Sequence, residues 1–132
     1  MAGKSEGSFI QNGTFALKLF DYEIAHTGLT KSEAEKKKMS VSDVRVEGYS
    51  RAAVYPNSNK VHVQIVYENK TGLLLGSTII GKEGAALRIN TLSLAIQNKM
   101  TVHQLRESDF MYTPPFSPLW DPILIAVNQI KL

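Results

Sequence analysis

The sequence predicts an α+β domain, built as an antiparallel sheet of about four to five strands flanked by helices. Two patterns support this fold class. Apolar residues alternate along successive segments of the first 80 residues, as in half-buried strands, and then recur at spacings of three and four, as on one helix face. Short turns join the strand segments, which antiparallel pairing allows. Strands and helices that segregate along the chain in this way are typical of α+β rather than of βαβ folds.

The first strand is predicted from Thr14 onward, and Gly28 interrupts the run. Phe15, Leu17 and Leu19 alternate with the residues between them. This alternation predicts a strand with one well-buried face.

A short helix and three further strands should follow. A threonine and a glutamate three residues apart form a capping box, which opens the helix at Thr30. Alternating apolar residues then predict strands over 44–49 and 61–68, and the mostly apolar segment 73–80 predicts a central strand. Clusters of turn residues separate these strands, so neighbouring strands should pair antiparallel.

Helices should fill the last third of the chain. Four apolar residues at spacings of four, three and four share one face of a helix that begins near Ala85. A second capping-box spacing opens a short helix at Thr101. Asp121 followed by Pro122 supplies the N-cap residue and the first-turn proline of a last helix, which should run to about Gln129.

The composition fits one domain of 132 residues, with residues 1–13 as a linker or cut end before a domain over 14–132. The absence of cysteine excludes a disulfide framework, a thiolate nucleophile and a Cys-based zinc site. Much of the net charge of +3 comes from one lysine run at 36–38, which indicates a solvated helix rather than a nucleic-acid surface. No stretch approaches the roughly 20 apolar residues of a membrane span. We expect a soluble, cytoplasmic protein with neither nucleic acid nor membrane as a partner.

Spacing alone suggests little chemistry. His26, His62 and His103 fall in different elements, so no metal site is expected. The turn Gly81–Gly84 could hold an anion on its backbone N–H groups, but it matches neither the dinucleotide nor the P-loop pattern. A strand-to-helix turn that needs permissive backbone angles explains it better.

A Ser/His/Asp grouping could be assembled from Ser108, His103 and Asp109. Most chains of this length allow such a choice, and no nucleophile elbow is present. Hydrolysis is therefore only a third hypothesis for the function of this protein.

The proline-rich loop, defined as Asp109–Pro118, is the most informative segment. It holds three aromatic residues, one methionine and three prolines. Prolines restrict the backbone, so such a loop can hold side chains in place at low entropic cost. It either covers an edge of the core or presents Tyr112 and Phe116 to a partner or ligand, and the residues alone favour neither interpretation.

The last helix is apolar on most sides. It could be sunk into the core of its own subunit, but a small domain has difficulty burying every side of a terminal helix. We therefore expect part of it to pack against a second subunit. The residues predicted at this interface are Trp120, Ile123, Leu124 and Val127.

Three segments, taken together, carry a resemblance to one family. Tyr112–Asn128, which reads YTPPFSPLWDPILIAVN, resembles that family's YAPP-[FY]-SP-x-WDP stretch. Gly81–Ile89 resembles its GKEGAD-x-RID turn and helix, and Lys18–Gly28 resembles its K-x-FD-x-x-x-A-x-x-G opening. The chain therefore resembles the C-terminal dimerisation domain of the pyridine nucleotide-disulfide oxidoreductases, in the branch of coenzyme A-disulfide reductases and NADH oxidases.

The resemblance implies that this chain holds no cofactor itself, because FAD and NAD(P)H are bound by the other two domains of the parent enzyme. It implies a homodimer in which the proline-rich loop faces the active site of the opposite subunit. Tyr112 would then assist proton handling in trans at the thiol–disulfide centre. The position of the family's second tyrosine would correspond to Tyr55 or to Val54. The residues that would lie on the flavin side of the partner are Pro114, Pro115 and Phe116.

By itself the chain should then be an inactive assembly module of a disulfide reductase. The domain does not specify whether the parent reduces coenzyme A disulfide, oxygen or a polysulfide. Two acidic positions of the family's pattern are Ala86 and Asn90 here, which should weaken any contact those acids make. The alternative function is a free-standing small-ligand or peptide-binding module that uses a sheet edge or the proline-rich loop.

Overall fold

The computed structural model describes residues 12–132, and within them it contains five strands and four helices. In chain order the elements are β1 Phe15–Leu19, β2 Tyr22–Gly28, α1 Lys31–Lys36, β3 Val41–Tyr49, β4 Lys60–Glu68, β5 Leu74–Gly81, α2 Arg88–Gln97, α3 Val102–Arg106 and α4 Pro122–Gln129. The predicted α+β class is confirmed.

All five strands form one antiparallel sheet in the order β1-β2-β5-β4-β3. The mostly apolar strand β5 lies at the centre of the sheet, between β2 and β4, as its sequence predicts. Direct connections join β1 to β2, β3 to β4 and β4 to β5, which suits antiparallel pairing, and β2 also pairs antiparallel with β5, which lies further along the chain.

One expectation about the sheet is wrong, because the first predicted strand is a hairpin of two strands. The chain reverses at Phe20 and Asp21, so that Leu19 pairs with Tyr22. Phe20 adopts a left-handed φ of 55° there. Such a turn normally carries glycine or asparagine, so a phenylalanine at this position gave no turn signal.

The core lies between one face of the sheet and the helices. Val61, Val63 and Ile65 of β4 and Ile79 of β5 point into it and are fully buried. Helix α2 packs over β5 and β2, whereas α4 packs over β3 and β4. Neighbouring side chains along a strand point to opposite faces, so the other face of the sheet is turned away from α2 and α4. Only the short helix α1 lies beside that face, against β3.

This open face is apolar at its β1 end. Phe15, Leu17 and Leu19 all lie on it and are about half exposed, and Ile24 and Ile80 continue it through the strand pairing. The prediction that β1 has a well-buried face is therefore wrong for this chain. An alternating pattern identifies the face that is apolar, but burial requires a second layer over it.

The open face is charged at its β3 end, where Asp43 accepts three polar contacts. Gln64 Nε2 lies 2.8 Å and Arg45 Nε 3.0 Å from Asp43 Oδ2, and Lys31 Nζ lies 3.2 Å from Oδ1. Burial raises the pKa of the Asp43 carboxyl, but these hydrogen bonds outweigh burial and hold the pKa below its ordinary value of 3.8.

A loss of stability in acid follows from the Asp43 contacts. Because its folded-state pKa is lowered, Asp43 stabilises the fold above its unfolded pKa, and this contribution disappears as pH falls through the folded pKa. Urea unfolding between pH 5 and about pH 2 should therefore give a steeper acid loss for the native chain than for Asp43→Asn. Equal slopes for the two proteins would contradict this assignment.

The start of the domain is held to α2 by side chains. Asn12 Nδ2 donates to the Ser93 carbonyl at 2.9 Å, and the Thr14 hydroxyl lies 2.7 Å from the hydroxyls of both Thr27 and Ser93. These contacts begin two residues before the predicted boundary at residue 14. The rest of the predicted linker, residues 1–11, lies outside the described part of the chain.

Candidate functional site

The proline-rich loop is closed by its own hydrogen bonds. The backbone N–H groups of Phe116 and Ser117 both donate to the Thr113 carbonyl, at 2.8 and 2.9 Å. The buried Ser117 hydroxyl donates to the Met111 carbonyl at 2.7 Å. Pro114 and Pro115 lie inside this tight turn, where their fixed φ adds rigidity. The loop is therefore held by contacts within the domain itself.

The loop presents its aromatic side chains outward. Tyr112 is 51% exposed, Phe116 and Met111 are more exposed still, and only Phe110 packs against the core. Pro114 is exposed and Pro115 is half-buried. Within residues 12–132, no group forms a hydrogen bond with the Tyr112 hydroxyl. The loop therefore exposes Tyr112 and Phe116 instead of packing them over the core edge.

The connection between β3 and β4 lies directly beside the proline-rich loop. The Ala52 N–H donates to the Pro114 carbonyl at 3.1 Å, and the Tyr55 N–H donates to the Ala52 carbonyl at 2.9 Å. Tyr55 is thus carried on a turn that is hydrogen-bonded to the loop of Tyr112. Val54 is 97% exposed and projects from the same turn. The structure brings the two candidate segments to one end of the domain.

A buried ion pair anchors both segments. Arg88, at the start of α2, donates from Nε to Asp121 Oδ2 at 2.9 Å, and their side chains are only 12% and 8% exposed. Its Nη1 donates to the Gly84 carbonyl at 2.7 Å, and its Nη2 donates to the Ser50 carbonyl at 3.0 Å. This set of three contacts is called the Arg88 clamp below. Charge-assisted bonds of this kind, shielded from water, fix the relative position of the groups they join.

A carboxylate of the domain itself binds just after the Gly81–Gly84 turn. Glu23 Oε1 accepts hydrogen bonds from the backbone N–H groups of Ala85 and Ala86, both at 2.9 Å. Gly84 has a left-handed φ of 82°, which glycine adopts without strain. The interpretation as a strand-to-helix turn is confirmed, and the N–H groups of the two residues that follow the turn are already used by Glu23.

The last helix does not have the exposed apolar surface that the sequence predicts. Ile123 and Val127 are 0% exposed and Leu124 is buried as well, all within their own subunit. The expectation that a small domain cannot hide this helix is wrong here, because the helix packs over β3 and β4 and also against α3. Trp120, just before the helix, is 58% exposed and remains a candidate for contact with another subunit.

The Ser/His/Asp grouping is not assembled. The Ser108 hydroxyl donates to the Gln104 carbonyl at 3.0 Å, and His103 Nε2 lies 3.7 Å from Glu107. Neither side chain is directed at the other, as a nucleophile and its base would need to be. The grouping gives no support to hydrolysis.

The other two histidines have neighbours of their own. His26 lies 2.9 Å from both the Thr78 hydroxyl and the Gly28 carbonyl, and His62 Nε2 lies 3.5 Å from Glu47. Within residues 12–132 there is no group of three or more acidic or histidine side chains that could hold a metal. No helix in the same range is long and apolar enough to cross a bilayer.

Sequence reasoning missed the Arg88 clamp as a functional element. In the sequence, Arg88 is only one position of the GKEGAD-x-RID resemblance, and Asp121 is predicted only as an N-cap. The cap is confirmed, since Asp121 Oδ1 accepts from the Ile123 N–H at 2.9 Å. The available signal was that each of two separate motifs contains a charged residue, one basic and one acidic. This signal does not reveal that the two residues meet.

A family model named as the pyridine nucleotide-disulphide oxidoreductase dimerisation domain matches residues 14–122. The chain belongs to this family. Among curated relatives it is 38% identical over 109 residues to an NADH oxidase of Enterococcus faecalis, covering 83% of this chain and 24% of that protein. It is 34% identical over 105 residues to a coenzyme A disulfide reductase of Staphylococcus aureus, covering 80% of this chain and 24% of that protein.

Solved structures of this family share the fold. A NAD-dependent persulfide reductase from A. fulgidus superposes with a TM-score of 0.86 at 31% identity, over 89% of this chain and 22% of that chain. The chain spans about a quarter of the length of the curated relatives that it matches. The match therefore identifies a dimerisation domain.

Proposed function

We propose that this dimerisation domain belongs to an FAD- and NAD(P)H-dependent homodimer and completes the active site of the opposite subunit. The parent enzyme would be similar to coenzyme A disulfide and persulfide reductases. One observation supports this proposal above the others, namely that Tyr112 is half exposed on a loop already closed by internal hydrogen bonds. A preformed loop can be inserted into a partner's site with little ordering cost.

Tyr112 is proposed to act as a neutral hydrogen-bond donor and proton carrier at the partner's thiol–disulfide centre. A neutral phenol hydroxyl can donate a hydrogen bond to a thiolate. Tyr55 lies on the adjacent turn and could contribute a second hydroxyl. Phe116 and the two prolines beside it would form the apolar surface that meets the flavin side of the partner.

The flavin and the nicotinamide would be held by the other domains of the parent. They would supply the electrons that reduce the disulfide, persulfide or oxygen substrate. The residues of this chain would orient the thiol chemistry, exclude water from it and provide a proton. Such an enzyme would work in the cytoplasm, where reduced nicotinamide is available.

Replacing Tyr112 with phenylalanine tests this role. The experiment uses a chimaera in which the matching segment of the Enterococcus faecalis NADH oxidase is exchanged for this chain. Loss of the hydroxyl should lower kcat by about 10²-fold, with KM for NADH unchanged, because the hydroxyl acts in the chemical step. NADH consumption followed by absorbance measures both constants.

Tyr22→Phe is the matched control, because it removes an exposed hydroxyl from the hairpin at the far edge of the sheet. It should leave kcat unchanged. If Tyr112→Phe and Tyr22→Phe gave the same turnover as the unmodified chimaera, the proposed role of Tyr112 would be wrong.

A further inference from the structure

The Arg88 clamp joins three segments that are distant in sequence. The guanidinium of Arg88 binds Ser50 at the end of β3, Gly84 in the turn before α2, and Asp121 after the proline-rich loop. Each of its three nitrogens donates to a different segment. The clamp is nearly closed to water, since Arg88 and Asp121 are both largely buried.

Two of these segments are the bases of the loops that carry the candidate tyrosines. Two hydrogen bonds join Ser50 to Asn59 at the base of the connection that bears Tyr55, and in the first the Ser50 N–H donates to the Asn59 carbonyl at 2.8 Å. The Asn59 N–H in turn donates to the Ser50 hydroxyl at 3.1 Å. Asp121 follows the proline-rich loop that bears Tyr112.

The two loops are also joined nearer their tips, where the Ala52 N–H donates to the Pro114 carbonyl. A neighbouring ion pair between Arg51 and Glu83 ties the same connection to the Gly81–Gly84 turn. Arg88 thus bonds to the bases of both loops, and the Ala52–Pro114 hydrogen bond joins the same two loops further out.

We infer that Arg88 is a positioning residue that sets the loop of Tyr112 against the turn of Tyr55. The consequence for turnover rests on the proposed function, in which Tyr112 acts at the partner's centre. Arg88 itself touches no reacting atom. It acts through Asp121 and Ser50, and a displacement of about 1 Å at the loop would be enough to slow the reaction.

Arginine is required at this position by geometry. Its planar guanidinium directs donors in fixed, diverging directions, whereas a lysine ammonium is a single point charge on a flexible stem. Arg88→Lys therefore keeps the charge that balances Asp121 but cannot reach all three acceptors. The variant should fold and lose only the fixed spacing of the two loops.

The chain offers a matched control in Arg106. This partly buried arginine donates to the Val127 carbonyl at 2.7 Å and to the Ile130 carbonyl at 2.8 Å, at the opposite end of α4. Arg106→Lys loses comparable hydrogen bonds to backbone carbonyls, so its cost in overall stability should be similar. It has no contact with either loop base.

Hydrogen exchange of the Ala52 amide in the 132-residue chain tests the inference without any enzyme assay. After correction for the global stability of each variant, Arg88→Lys should speed this exchange about tenfold, whereas Arg106→Lys should leave it unchanged. In the chimaera, Arg88→Lys should lower kcat by at least about tenfold at constant KM for NADH, and Arg106→Lys should not.

Two results would overturn the inference. The first is an Ala52 amide that exchanges equally slowly in both variants. The second is a chimaera in which Tyr112→Phe lowers kcat but Arg88→Lys does not. Faster Ala52 exchange together with no effect of Tyr112→Phe would support the positioning of the loop and refute the proposed function instead.

A second variant tests the clamp from its acidic side. Asp121→Asn keeps an oxygen that can accept the Ile123 N–H and removes only the charged partner of Arg88. The same selective increase in Ala52 exchange is expected. Its absence in a folded Asp121→Asn chain would count against the clamp.

Discussion

Asp121→Ala should lower the free energy of unfolding by about 3–5 kcal/mol, because it leaves the Arg88 guanidinium buried without its counter-charge. The same substitution removes the N-cap of α4, since Asp121 Oδ1 accepts from the Ile123 N–H. The two losses act together because one carboxylate serves both groups, with Oδ2 bound to Arg88. Urea unfolding followed by far-ultraviolet circular dichroism measures the change.

Asp109→Ala is the matched control for Asp121→Ala. It removes an exposed carboxylate from the other end of the proline-rich loop and should change stability by less than about 0.5 kcal/mol. If Asp121→Ala were as mild as this control, the buried ion pair would not be a significant anchor of the fold.

Ile123→Ala should lower the free energy of unfolding by about 2–5 kcal/mol, as expected for a large side chain deleted from a packed core. Ile123 is fully buried inside its own subunit, among the residues that α4 shares with the sheet. The loss should be the same at low and high protein concentration, because it does not depend on a second copy of the chain.

Trp120→Ala distinguishes a residue at a candidate subunit contact from a residue of the core such as Ile123. Trp120 is the only tryptophan and is more than half exposed, so its removal should cost less than about 1 kcal/mol in unfolding. If Ile123→Ala instead weakened subunit association and spared the stability of the fold, the assignment of α4 to the core would be wrong.

Helix starts that carry a capping signal are the best predicted feature of this chain, whereas the uncapped helix α2 begins at Arg88 and not near Ala85. The capping boxes at Thr30 and Thr101 and the N-cap at Asp121 are all confirmed. Each of these signals lies within four consecutive residues, so it needs no knowledge of the rest of the fold. The same holds for the apolar face of α2, where Ile89, Leu92 and Ala95 are buried.

Burial was predicted poorly at both ends of the domain, and for one reason. The sequence shows β1 and α4 to be apolar but does not show what lies over them. Strand β1 ends at the edge of the sheet with no helix above it, whereas α4 is covered by β3, β4 and α3. Exposure was therefore expected on α4, which is buried, and burial on β1, which is exposed.

The Arg88 clamp could not be predicted because it is a product of the tertiary fold. Its acceptors lie 38, 4 and 33 positions from Arg88 along the chain. Nothing in a local pattern reveals that these segments meet. The proline-rich loop, by contrast, was identifiable from its composition, and its exposed Tyr112 agrees with presentation to a partner.

Hybrid dimers test the central claim most directly, since they reveal whether Tyr112 acts in the opposite subunit. One chimaera carries Tyr112→Phe, and the other keeps Tyr112 but carries an inactivating substitution at the proposed thiol–disulfide centre, outside the exchanged segment. Each alone should be nearly inactive. Random pairing of equal amounts gives half hybrids with one working site each, so turnover should return to about a quarter of the unmodified value. If the mixture stayed as inactive as its two components, with hybrid dimers verified by mass, the claim that this domain completes its partner's active site would be contradicted.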